Sequence, residues 1–192
     1  MTKIVLASSS RYRQDLLKKL LPEFDSASPG IVEMSEVGET PDCQALRLAK
    51  QKAAAVAPRF PDRLIVGSDQ IAVLDGKQLV KPMTRDNAIR QLCAASGRRV
   101  EVYTAVCVLH AATGEMKAEI DRCLVHFRKL SREEIERYVD RDQPLDCAGG
   151  FKSEGLGIVL FEKFEGDDPN ALVGLPLLRL ARLLGSFGVQ VI

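Results

Sequence analysis

An α/β fold with a mixed sheet is predicted by three observations. Strand-like and helix-like segments alternate along the whole chain, no segment repeats at a fixed period, and the middle third carries hairpin signals that a purely parallel sheet lacks. The 192 residues, 46% hydrophobic and 28% charged, suit a globular fold with a sizeable core. Residues 1–192 therefore read as one domain with room for two small lobes. The expected form is an elongated, twisted mixed sheet with helices on both sides and a cleft between the lobes.

Each element has its own local reason. Lys3 to Ala7 is a short β-rich run, and Ser8-Ser9-Ser10 leads into a helix over Arg11 to Leu20 with Leu16, Leu17 and Leu20 at helical spacing. Thr40-Pro41 is a helix start, an N-cap hydroxyl followed by proline in the first turn, and Pro58 stops that helix. Leu64 to Gly67 is a buried strand, interrupted by Ser68-Asp69-Gln70 and resumed by Ile71 to Leu74. Asp75-Gly76 then marks a two-residue hairpin. Thr84 caps a helix that Gly97 closes. Val100 to His110 and Glu115 to Phe127 are two longer strands around a turn at Ala112 to Gly114. Ser131 with Glu134 makes a capping box for a helix that buries Ile135, Tyr138 and Val139. Gly157 to Phe161 reads as a further strand, and Leu175 to Leu184 as a closing helix entered through Pro176.

Composition excludes several classes. With 27 basic and 26 acidic side chains the net charge is +1, which offers no one-signed field for nucleic acid or an anionic membrane. Three Tyr and no Trp leave no aromatic platform for single-stranded nucleic acid. No stretch nears the ~18 apolar residues of a spanning helix, and the apolar run Ile4 to Ala7 is too short for a signal peptide. Five widely spaced cysteines (Cys43, Cys93, Cys107, Cys123, Cys147) without a Cys-x-x-Cys pair read as reduced, mostly buried thiols. A cytoplasmic protein is the expectation.

Some residues stand out chemically. Ser8-Ser9-Ser10-Arg11-Tyr12-Arg13 sits where a strand turns into a helix, so free N–H groups, hydroxyls and arginines make an anion site. An N-capping serine with solvated arginines is the plainer reading of the same segment. Asp69, at the end of a buried strand, would bind Mg²⁺, position a water, or simply cap a turn. Glu33, in a loop, would be a second carboxylate or a surface charge; two hard oxygen ligands plus phosphates suit Mg²⁺. Lys52, on the polar side of its helix, and Lys81, before Pro82, are either phosphate clamps or solvated lysines. Phe151-Lys152-Ser153-Glu154-Gly155 is crowded by Gly149, Gly150 and Gly157, which suggests close backbone approach. Asn170 to Pro176 is explained by packing. His110 and His126 lie apart in strands and read as structural.

In order along the chain, Leu6-Ala7-Ser8-Ser9-Ser10 with Arg13, Glu33, Lys52, Gly67-Ser68-Asp69-Gln70, Lys81-Pro82, Phe151-Lys152-Ser153-Glu154-Gly155 and Asn170 to Pro176 resemble the Maf family of nucleoside triphosphate pyrophosphatases. The resemblance implies a Maf/ITPase-like fold and hydrolysis between the α- and β-phosphates with Mg²⁺ or Mn²⁺. It implies Asp69 as base or metal-held water activator and Glu33 with Asp69 as metal ligands. Ser8, Ser9, Arg13, Lys52, Lys81 and Lys152 would bind substrate, and Tyr12, Gln70 and Glu154 would select the base. The transition state is anionic, so fixed cations are the main catalytic resource.

Within the family, Ser68-Asp69-Gln70 with Ser153-Glu154-Gly155 resembles the YceF-like subgroup associated with 7-methyl-GTP, whereas the dTTP/UTP subgroup tends to Ala-Asp-Thr at the acid. N7 methylation makes guanine cationic, which suits an aromatic face and a carboxylate. Trp is the residue expected at position 12; Tyr12 presents a weaker cation–π face. The family also implies a homodimer. The alternatives are a dTTP/UTP pyrophosphatase, and a non-catalytic nucleotide-binding regulator of septum formation.

Overall fold

The computed structural model describes residues 3–192. In chain order the elements are β1 (Ile4–Leu6), α1 (Arg11–Leu17), β2 (Asp25–Ser26), α2 (Pro41–Val56), β3 (Leu64–Leu74), β4 (Lys77–Leu79), α3 (Arg85–Ala95), β5 (Arg99–His110), β6 (Met116–Phe127), α4 (Arg132–Asp142), β7 (Phe161–Glu165), α5 (Pro169–Val173) and α6 (Leu177–Ser186). The seven strands form one mixed sheet in the order β2-β1-β3-β5-β6-β7, with β4 paired to β3. β1 runs parallel to β2 and β3, whereas β3/β4 and β6/β7 are antiparallel. The fold is α/β, as expected.

Local chemistry explains the elements that matter. Asp75 and Gly76 both take positive φ, +47° and +76°, and Leu74 pairs with Lys77, so the two-residue turn sets the register of the hairpin. The Thr84 hydroxyl accepts from the Asn87 N–H, and Ser131 with Glu134 forms the full capping box of α4. Thr40 holds the N-cap position of α2 without a side-chain cap bond to the backbone.

The chain divides into two compact units. The first contains the chain up to Gln70 together with Tyr103–Asp121 and Asp168–Ile192. Its core joins Leu6 of β1, Leu17 of α1, Val66 of β3, Val106 of β5 and the Leu180/Leu184 face of α6. Each such side chain contributes about 1.5–3 kcal/mol when fully removed from water. The second unit contains Ile71–Val102 and Arg122–Asp167. There α3 packs on α4, and Phe127, Phe151 and Phe161 meet edge-on with centroids 5.2–5.6 Å apart.

Four expectations are corrected. Ser68-Asp69-Gln70 does not end a strand: β3 runs unbroken through it, because each polar side chain finds a partner inside the protein. Lys52 lies on the buried face of α2, not its polar side, for the same reason. Residues Leu156–Leu160 form a 3₁₀ turn rather than a strand, with Ile158 and Val159 exposed, and β7 begins only at Phe161. A Cβ at Gly157 would lie 2.3 Å from the Lys152 carbonyl oxygen, so the chain coils back on itself there. Finally, only Cys107 and Cys123 are buried. Cys147 is half-buried, and Cys43 and Cys93 are exposed, since each sits on a solvent-facing position of its helix.

Candidate active site

The site in the first unit is built on the two faces of β3. Alternate strand residues point the same way, so Gly67 and Asp69 share one face while Ser68 and Gln70 share the other. On the first face α2 approaches closely. A Cβ at position 67 would stand 2.1 Å from the Ala49 carbonyl oxygen and 3.1 Å from the Ala53 methyl, so only glycine permits this distance. The buried stripe of α2 carries alanines at 45, 49 and 53 beside Gln44, Leu48 and Val56, and Lys52 belongs to it. A glycine against an alanine-rich helix thus brings Lys52 to Asp69.

The resulting cluster is dense in charge. The Lys52 ammonium donates to Asp69 Oδ1 at 2.5 Å and pairs with Glu33 Oε1 at 2.7 Å. Lys52 and Asp69 are each 4% exposed, whereas Glu33 reaches in from the exposed loop after β2. Burial pushes the Asp69 carboxyl above its ordinary value, by more than the attraction of Lys52 and Arg13 lowers it. The Arg13 guanidinium is lowered by its own burial, while Asp69 and Glu33 both act to hold its charge. Two carboxylates and two cations therefore sit within electrostatic reach of one another.

On the opposite face the polar side chains hold main chain. The Ser68 hydroxyl lies 2.8 Å from the Ala105 carbonyl oxygen and 3.0 Å from that of Gly174. Gln70 Nε2 faces Thr104 Oγ1 at 3.0 Å and the carbonyls of Ala171 and Leu172 at 2.9 and 3.1 Å. Thr104 Oγ1 donates to Ala171 at 2.9 Å, and Arg13 Nε donates to the Gly174 carbonyl at 2.8 Å. The buried Asp168 carboxylate receives Asn170 N–H and Leu178 N–H, tying the starts of α5 and α6 together. The turn between those helices is therefore part of the site's framework.

The remaining predicted residues are distributed as follows. Ser8 is buried and its Oγ accepts from the Ser10 N–H at 3.1 Å, while Ser9 is exposed. Ser10 is the N-cap of α1 and accepts from the Arg13 N–H, and Tyr12 is half-buried on the same helix. Lys81, Lys152 and Glu154 belong to the second unit. Lys81 is exposed. Lys152 closes the C-terminus of α4, its ammonium donating to the carbonyls of Asp142 and Gln143 at 2.9 and 3.3 Å and its N–H to the Tyr138 hydroxyl at 3.0 Å. Glu154 is an exposed residue, yet partial burial of its carboxyl raises it, by more than its own backbone N–H and the charge of Lys152 lower it.

Sequence reasoning quoted Ser68 and Gly174 only within longer motifs, without a role of their own, and passed over Thr104 and Asp168. Asp168-Pro169, an N-cap followed by proline, was the available signal for α5. Thr104 lies in a buried strand and carries none.

Among the described residues no three His, Cys, Asp or Glu side chains form a metal cluster. The donor set of Asp69 and Glu33 nonetheless fits a hard divalent cation. Two carboxylate oxygens already converge on one positive charge, and such ions commonly take one or two carboxylates with the remainder from water and phosphate. Among the described residues no helix is long and apolar enough to cross a membrane.

A protein from Methylobacillus flagellatus named 7-methyl-GTP pyrophosphatase is 52% identical over 192 residues, covering 100% of both chains. One of the same name from Alcanivorax borkumensis is 53% identical over 187 residues, 97% of this chain and 95% of its own. Among solved structures, the Ham1 protein of Staphylococcus aureus aligns with a TM-score of 0.46 at 16% identity, over 66% of this chain and 72% of that one. The HAM1 protein of Coxiella burnetii gives 0.40 at 14%, over 66% and 73%. The family model described as Maf-like protein matches residues 3–187, so this chain belongs to the Maf family.

Proposed function

We propose that the protein hydrolyses 7-methyl-GTP between its α- and β-phosphates, releasing 7-methyl-GMP and pyrophosphate. The observation that carries this reading is the buried Asp69 carboxylate sharing Lys52 with Glu33 beside Arg13. The 52–53% identity, over nearly the whole length, to two proteins named 7-methyl-GTP pyrophosphatase supports it.

The chain's residues divide the chemistry. Asp69 Oδ1 is held by Lys52 on a buried strand, which fixes the carboxylate in one orientation and lets it accept the proton of an attacking water. Arg13 and Lys52 supply positive charge where the departing pyrophosphate gathers negative charge. A triphosphate arriving at this balanced cluster competes with the two carboxylates for those cations. Asp69 and Glu33 are the carboxylates that would hold Mg²⁺ or Mn²⁺. Such an ion, when bound, offsets phosphate charge and makes a bound water more acidic.

Base choice rests on Tyr12, Gln70 and Glu154. Gln70 commits its amide N–H groups to Thr104 and the Ala171–Leu172 carbonyls, which leaves Oε1 as the atom suited to accept from a guanine N–H. Glu154, in the second unit, is a carboxylate whose charge suits a cationic, methylated ring.

A panel of 7-methyl-GTP, GTP, dTTP and UTP, scored by pyrophosphate release with Mg²⁺ or Mn²⁺, tests the reading. The expected result is a kcat/KM for 7-methyl-GTP at least about tenfold above the others, the worth of one well-placed charged contact. Preference for dTTP or UTP moves the protein to the sister specificity, and no release from any nucleotide ends the enzymatic reading.

A further inference from the structure

Thr104 and Ser68 are both 0% exposed, so neither hydroxyl can touch a nucleotide. Both nevertheless point at one short stretch of main chain, Ala171 to Gly174. Thr104 donates to the Ala171 carbonyl at 2.9 Å, and Ser68 approaches the Gly174 carbonyl at 3.0 Å. The Gly174 carbonyl in turn accepts from Arg13 Nε at 2.8 Å. Gly174 has a φ of +126°, a backbone angle that disfavours every residue with a Cβ, and it is what turns this carbonyl toward α1. Asp168 holds the residues that flank this stretch, through the Asn170 and Leu178 N–H groups.

We infer that Thr104 and Ser68 are positioning residues for the pyrophosphatase reaction: Ser68 meets the Gly174 carbonyl directly, Thr104 holds the Ala171 carbonyl that also takes the Gly174 N–H at 3.0 Å, and together they aim the Arg13 guanidinium at Asp69 and Glu33. The inference rests on the function proposed above. A guanidinium has a planar fork of donors. Fixing Nε on one carbonyl sets the plane, and with it the direction of the two terminal nitrogens. An arginine without that anchor keeps its charge but loses its orientation. A buried hydroxyl that holds the carbonyl therefore acts on catalysis at a distance. Ser68 and Gln70, the two neighbours of Asp69 on β3, thus secure the turn behind Arg13 while Asp69 faces the charge cluster from the opposite side of the same strand.

The test is a double-mutant cycle between Thr104→Val and Arg13→Lys, measured by steady-state hydrolysis of 7-methyl-GTP and by thermal melting. Val keeps the shape of Thr but removes the hydroxyl, and Lys keeps the cation but lacks the Nε donor. In the wild-type background, Thr104→Val is expected to lower kcat/KM roughly ten- to hundredfold, the scale of a misaimed catalytic group. Thr104→Ser should restore most of it. In the Arg13→Lys background, Thr104→Val should change kcat/KM less than about twofold, because the orientation it protects is already lost. Its effect on Tm should be the same in both backgrounds. An equal loss of activity in both backgrounds overturns the inference. If Thr104→Val does not fold, Ser68→Ala replaces it, with the same two outcomes. Should Arg13→Lys alone leave turnover intact, the proposed role of Arg13 fails as well. A large Arg13→Lys loss that multiplies with Thr104→Val rejects only the positioning role.

Discussion

Asp69→Asn is expected to lower kcat for 7-methyl-GTP hydrolysis by about 10³- to 10⁴-fold, at the upper end of what a positioned base contributes. Asn keeps the shape of the side chain and can still accept from Lys52 through its amide oxygen, but it cannot take a proton from water. Lys52 also retains Glu33 at 2.7 Å, so the ammonium is not left buried without a carboxylate. The variant should therefore fold, and it should still bind a nucleotide, with the loss confined to the chemical step. Steady-state kinetics beside calorimetric nucleotide binding separates these quantities. A variant that loses binding in parallel with turnover would assign Asp69 to holding the phosphates instead.

Gly67→Ala is expected to be the most damaging small substitution in the first unit. The new methyl would stand 2.1 Å from the Ala49 carbonyl oxygen, which is main chain and has no rotamer through which to yield. Helix α2 must then move away from β3. Overpacking of this kind costs on the order of 3 kcal/mol, which for a chain of this size lowers Tm by about 6–12 °C. The displacement also draws Lys52 from Asp69, so activity at a temperature well below the new Tm should fall at least about tenfold. Thermal melting and kinetics on the same preparation test both parts. Full activity in a destabilised protein would separate the helix approach from the chemistry.

Local signals made most of the fold legible before the structure. Asp75-Gly76 demanded a turn with two positive φ angles, and the Ser131/Glu134 pair demanded a helix start; both depend only on residues within a few positions of each other. What escaped was set by distant partners. Ser68 and Gln70 looked like a break in β3 because their acceptors, on Ala105, Ala171, Leu172 and Gly174, lie 37 to 106 residues away. Lys52 looked solvated because the carboxylate that neutralises it lies on another element, 17 residues later. Leu156 to Leu160 has the apolar, β-branched look of a strand, yet Gly157 packs on the Lys152 backbone and the chain turns instead.

The candidate site divides the same way. Resemblance to a family picked out Arg13, Glu33, Lys52 and Asp69, and these four fall in one charge cluster. The framework that holds them, Gly67 on one face of β3 and Thr104 with Gly174 on the other, involves no unusual residue types. Its meaning lies in close approach, in one backbone angle and in buried hydroxyls, none of which a spacing pattern encodes.

Turnover in water enriched in oxygen-18, with mass spectrometry of both products, examines most directly whether an Asp69-activated water attacks the α-phosphorus. The heavy oxygen should appear in the nucleoside monophosphate and be absent from pyrophosphate. Its appearance in pyrophosphate would mean attack at the β-phosphorus and would contradict the assignment.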